Sequence, residues 1–107
     1  MEGKDFGISE QSWRQLIEAL SRFPQIERAV IFGSRALGNY KRGSDIDLAI
    51  YGKQVDERLL FQLRSFIEEE TFIPYFMDIL HYEKITHLPL RNHIDQEGKV
   101  IFAKQLV

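Results

Sequence analysis

The feature that most constrains this chain is the stretch from Ala29 to Tyr51, AVIFGSRALGNYKRGSDIDLAIY. Two short apolar runs, Ala29–Phe32 and Leu48–Tyr51, flank a segment containing glycines, an asparagine and basic residues. The second run alternates. Ile46, Leu48 and Ile50 fall on one face of a strand, and Asp45, Asp47, Ala49 and Tyr51 on the other. A strand that begins with two carboxylates on a face that is otherwise apolar sets both the fold and the chemistry. Residues two apart in a strand point the same way with Cα atoms about 7 Å apart, so Asp45 and Asp47 are expected to converge on one patch of sheet.

The elements around this stretch follow from pattern and punctuation. Ser9 is an expected N-cap for a first helix bearing Trp13, Leu16, Ile17, Leu20 and Phe23, which Pro24 ends. Arg28–Phe32 reads as a strand covered on both faces. Residues 34–44 read as a turn, a short helical piece and a loop, and residues 45–51 as the second strand. Gly52 stops that strand. A second amphipathic helix follows, with Asp56 as a cap and Leu59, Leu60, Leu63, Phe66 and Ile67 as its core stripe. Phe61 falls opposite that stripe, between polar neighbours, and is expected to be exposed. Residues 74–81 form a third strand with Phe76, Asp78 and Leu80 on one face. A last helix lies within 86–97, Gly98 suits its C-terminal position, and residues 99–103 form a closing strand. The order is α, β, short α, β, α, β, α, β.

Composition narrows the function classes. A chain of 107 residues fits a single domain spanning 1–107. Net charge is −2, which weighs against a general nucleic-acid binder, and direct nucleic-acid contact is not expected. No apolar run approaches the length of a membrane span, and the N-terminus lacks the pattern of a signal peptide. The absence of cysteine removes thiol chemistry and suits a reducing cytoplasm.

The acidic pair requires a counter-charge. Two carboxylates held close in a partly buried place repel, and one takes up a proton unless a cation intervenes. Oxygen ligands without cysteine or histidine select a hard ion such as Mg²⁺, which keeps waters and completes its shell with substrate phosphates. Gly33-Ser34 supplies the phosphate side. Gly33 lets backbone approach a ligand closely, Ser34 adds a hydroxyl, and Arg35, Lys41 and Arg42 can neutralise anionic charge. The EF-hand alternative fails, because the pattern lies on strands and lacks the glutamate at its twelfth position. Asp78 has two readings, a further ligand or a core acid bonded to backbone. The first requires its strand to lie beside residues 45–51. The histidines, His81, His87 and His93, are expected as packing or surface residues, since a spacing of six suits no zinc pair.

The pattern GS-x10-D-x-D with a later acid in PYFMDIL resembles the minimal nucleotidyltransferases of the DNA-polymerase-β-like superfamily. IFGSRALGNYKRGSDIDLAIYG carries the signature and GKVIFA the closing strand, so the resemblance covers about residues 10–103. Leu37 departs from it, standing where many relatives have arginine. The resemblance implies an α+β fold with a mixed, mostly antiparallel sheet and helices packed on it. It implies transfer of AMP from ATP to a hydroxyl, with Asp45, Asp47 and Asp78 catalytic and holding two Mg²⁺ ions (Mn²⁺ serving as well). Gly33, Ser34, Arg35, Arg42 and Ser44 would bind nucleotide. It further implies a separately encoded helical partner of the HEPN type, with this chain the antitoxin that adenylylates a toxin tyrosine. Two other readings stand beside it: a small-molecule acceptor held by a helical partner, and a non-catalytic module that neutralises a partner by covering it. An exposed Phe61 would suit the anchor of such a partner surface.

Overall fold

The computed structural model describes residues 2–104. Among these residues, four helices and four strands follow the expected order: α1 (Glu10–Ser21), β1 (Arg28–Phe32), α2 (Gly33–Leu37), β2 (Ile46–Tyr51), α3 (Glu57–Glu70), β3 (Met77–His81), α4 (Leu88–Glu97) and β4 (Lys99–Ala103). Short 3-10 turns at Gly3–Phe6 and Tyr82–Lys84 were not foreseen. Ser9 caps α1 by accepting the Ser12 N–H, and Asp56 caps α3 by accepting the Leu59 N–H.

The sheet is four-stranded, in the order β3-β2-β1-β4. β1 runs antiparallel to β2 and to β4, whereas β2 and β3 are parallel. Chain length accounts for the difference. A parallel neighbour requires a long crossover, and α3 supplies it between β2 and β3. The fold is α+β with a mixed, mostly antiparallel sheet, as expected.

Both sheet faces are covered. On one, Ala29, Ile31, Ile46, Leu48, Ile50 and Ile79 pack into a core that includes residues of α1 and α3, among them Leu16, Leu20, Leu59 and Leu63. On the other, Val30, Phe32, Ala49 and Tyr51 pack with Ile94 of α4. Successive residues of β1 thus enter different cores, which is why the strand reads as unbroken apolar sequence. Phe61 is 66% exposed, as the register of α3 requires.

Strand boundaries differ from the sequence reading. Asp45 precedes β2 rather than beginning it, and β3 starts at Met77 rather than Pro74. The Phe76 carbonyl takes the Ile46 N–H at 2.9 Å, so pairing begins there, while Pro74 has no N–H to contribute. Phe76 lies outside the strand and is exposed. Gly98 stands at the C-terminal cap of α4, as expected. Its φ of −67° is ordinary, but a Cβ there would collide with the Ile94 carbonyl and the Val30 side chain. Its small size lets the end of α4 lie close over β1.

Candidate active site

Register brings the acids together. Asp47 pairs with Phe32 on one side and with Asp78 on the other, so the two carboxylates stand on adjacent parallel strands with the same facing. The condition attached to Asp78 is met, because β3 lies directly beside β2. Asp45 lies one residue before β2 and is exposed, as is Asp78, whereas Asp47 is half-buried.

Asp47 registers this crowding. Burial, then the charge of Asp78, then that of Asp45 push its carboxyl up to about 6, against opposing pulls from His93, when its ring is protonated, and from Arg35. A carboxyl held that high, first by burial and then by neighbouring carboxylates, marks a place that favours a cation. Among the described residues, no three carboxylate, imidazole or thiolate side chains converge tightly enough to hold a metal ion by themselves. The donor chemistry nevertheless fits Mg²⁺ or Mn²⁺, which bind through one or two carboxylates and take further oxygens from water and phosphate.

Gly33 borders the same patch. Its φ is +73°, a conformation that favours glycine, and a Cβ would strike the Asp47 carboxylate. The glycine of the signature is therefore required twice, once by backbone and once by the close approach of Asp47. Ser34 follows in α2 and is half-buried. Lys41 and Arg42 are exposed on the loop leading to Asp45.

Arg35 and Ser44, both expected to bind nucleotide, also hold the surrounding backbone. Arg35 is 2% exposed. Its guanidinium donates to the carbonyls of Phe6 (2.8 Å), Gly7 (3.2 Å) and Ser44 (2.7 and 3.1 Å), and lies between the rings of Tyr40 and Tyr75. With four of its five N–H donors given to backbone carbonyls, Arg35 ties the N-terminal turn and the 38–45 loop to α2. Its charge reaches Asp47 only through space. Ser44 closes the loop, its hydroxyl accepting the Lys41 N–H at 2.9 Å.

His93 is the residue that sequence reasoning missed. The Gly33 N–H donates to His93 Nε2 at 2.9 Å, and the imidazole meets the Phe32 ring edge-on at 6.1 Å. No motif could have signalled this, since the contact joins residues 60 apart through the packing of α4 over β1. His81 is buried at the end of β3, with Nε2 3.2 Å from a Glu83 carboxylate oxygen, and His87 is exposed at the start of α4.

A hollow of about 420 Å³ lies elsewhere, between α3 and the segment entering β3, with Arg64, Ile67, Tyr75 and Phe76 among its walls. None of its lining residues is a predicted site residue. The chemistry, not the volume, locates the site.

Known proteins share this fold. Among curated proteins none matches the chain. A chain of the crystal structure of a toxin-antitoxin with AMP-PNP superposes with a TM-score of 0.70 at 21% identity, over 87% of this chain and 74% of that one. A chain of a crystal structure of the toxin-antitoxin MntA-HepT gives 0.65 at 17% identity, over 91% and 74%. A chain of the tri-AMPylated Shewanella oneidensis HEPN toxin in complex with MNT antitoxin gives 0.64 at 18% identity, over 88% and 71%. At such identities the likeness is one of fold. The sequence itself carries the further step, for the model of the polymerase beta nucleotidyltransferases matches residues 14–106, nearly the whole chain. The chain belongs to the polymerase beta nucleotidyltransferase family.

Proposed function

We propose that this chain is a single minimal nucleotidyltransferase domain of the cytoplasm that transfers AMP from ATP to a hydroxyl of a helical partner protein, as the antitoxin of a HEPN toxin. The observation that carries the reading is the pairing of Asp47 with Asp78 beside the close-set backbone of Gly33. The neighbour with an AMPylated HEPN toxin supports the acceptor class, and the neighbour with AMP-PNP supports the nucleotide. No helix among the described residues is long and apolar enough to cross a membrane.

Asp45, Asp47 and Asp78 would hold divalent magnesium, which supplies charge neutralisation to both oxygens of an in-line displacement at the α-phosphorus. The residues of the chain do the rest. Gly33 allows the phosphates to approach the backbone, Ser34 donates its hydroxyl to the departing pyrophosphate, and Arg42 screens its charge. Asp78, exposed at the sheet edge, takes the proton of the attacking hydroxyl. The acceptor oxygen bonds to the α-phosphorus as the bond to pyrophosphate breaks. The direct test is the intact mass of the purified partner after incubation with ATP and Mg²⁺. A gain of AMP units is expected, and an unchanged partner excludes it as the acceptor.

Two predictions follow from the roles. Ser34→Ala loses one neutral hydrogen bond, worth about 0.5–1.5 kcal/mol, and should slow transfer about tenfold or less with the fold intact. A loss as deep as that of an Asp47 variant would show that Ser34 is more than an auxiliary donor. Phe61 is an exposed aromatic on α3 with polar neighbours, suited to anchor a helical partner. Phe61→Ser should leave the melting temperature unchanged and weaken association by about 1–3 kcal/mol in a calorimetric titration. Unchanged affinity would remove Phe61 from the interface.

A further inference from the structure

His93 lies outside every signature element, yet its imidazole touches the signature. The ring nitrogen Nε2 accepts the Gly33 N–H at 2.9 Å, so in this contact Nε2 carries no proton. The bond is well within ordinary N–H length. The histidine end is fixed. His93 precedes Ile94, which is 2% exposed in the core between α4 and the sheet, and its ring rests edge-on against Phe32. Gly33 in turn has a positive φ and no Cβ, and Asp47 stands in the space a Cβ would fill.

A glycine in that conformation is the most freely rotating point of the turn, so something must hold it. Intrinsic preference cannot, and α2, five residues long, offers little. The geometry points to His93 as a positioning residue: by accepting the Gly33 N–H it sets the signature turn at a fixed separation from Asp47, the arrangement that a metal–nucleotide complex must find ready. The inference rests on the nucleotidyl-transfer reading. It adds that α4, which contributes no signature residue, takes part in nucleotide binding through its packing on β1.

A glutamine at this position can place a carbonyl oxygen where Nε2 lies, and an alanine cannot. The experiment therefore compares wild type, His93→Gln and His93→Ala for binding of AMP-PNP with Mn²⁺ by calorimetry, and records the Gly33 amide resonance of each by ¹⁵N NMR. His93→Ala should weaken binding about tenfold, the worth of one well-placed hydrogen bond, and move the Gly33 amide upfield with faster exchange. His93→Gln should recover affinity to within about threefold and keep the amide protected. A merely structural role would move the melting temperatures and leave Gln no better than Ala in binding. Equal affinity of Ala and wild type, or equal loss in Ala and Gln, overturns the positioning role. Failure of wild type to bind AMP-PNP with Mn²⁺ overturns the nucleotidyl-transfer reading itself, and the role of His93 with it.

Discussion

Asp47→Asn is expected to abolish measurable transfer while making the metal-free protein more stable at neutral and alkaline pH. The rate effect follows from position. Asp47 lies between Asp78 and the Gly33 turn, and removing its charge removes several kcal/mol of stabilisation from the displacement, roughly a thousandfold or more in rate. The stability effect follows from the carboxyl's own discomfort. Burial, Asp78 and Asp45 raise it from 3.8 to about 6, so the folded state holds this proton more tightly than the unfolded chain does. Its stabilising contribution is therefore full below about pH 4 and is lost as pH rises through about 6. An asparagine has no charge to bury. Melting curves in chelator should show the variant above wild type at pH 8, with the gap closing as pH falls from 6 to 4. A variant less stable than wild type at pH 8 would mean that Asp47 is not strained by its neighbours.

Arg35→Ala is expected to be the most destabilising single change near the site. The guanidinium serves three carbonyls at once, from Phe6, Gly7 and Ser44. Its removal leaves them without a protein donor, at about 1–3 kcal/mol for each that stays buried, and empties the space between Tyr40 and Tyr75. The total loss is about 3 kcal/mol or more, a fall of at least about 10 °C in melting temperature for a domain of this size. Arg35→Lys should rescue little, since one ammonium cannot span carbonyls on two separate segments. A variant that melts like wild type but binds ATP weakly would return Arg35 to the phosphate-binding role that its sequence position suggests.

The contrast between Arg35 and Asp47 shows what the sequence could and could not convey. The period-two alternation from Ile46 to Tyr51 fixes the facing of Asp47 because the pleat is a local property. The cap at Asp56, the core stripe of α3 and the exposure of Phe61 were legible for the same reason. The burial of Arg35 was not legible because a basic residue one position after a Gly-Ser pair looks the same whether it points outward or inward. Its direction is decided by carbonyls at Phe6 and Gly7, nearly thirty residues away. His93 was missed because its contact arises where α4 crosses β1, a tertiary event with no local trace. Asp78 stands between these cases. Its face on β3 was legible, but its place beside Asp47 depends on a parallel pairing made possible only by the α3 crossover.

The most direct test of the central claim uses ATP labelled in turn at the α and γ phosphates, with Mg²⁺, the purified chain and its helical partner. The account predicts that α label passes to the partner, that γ label leaves in pyrophosphate, and that chelator or Asp47→Asn stops both. Transfer of the γ label, or of α label at an undiminished rate in chelator, would contradict it.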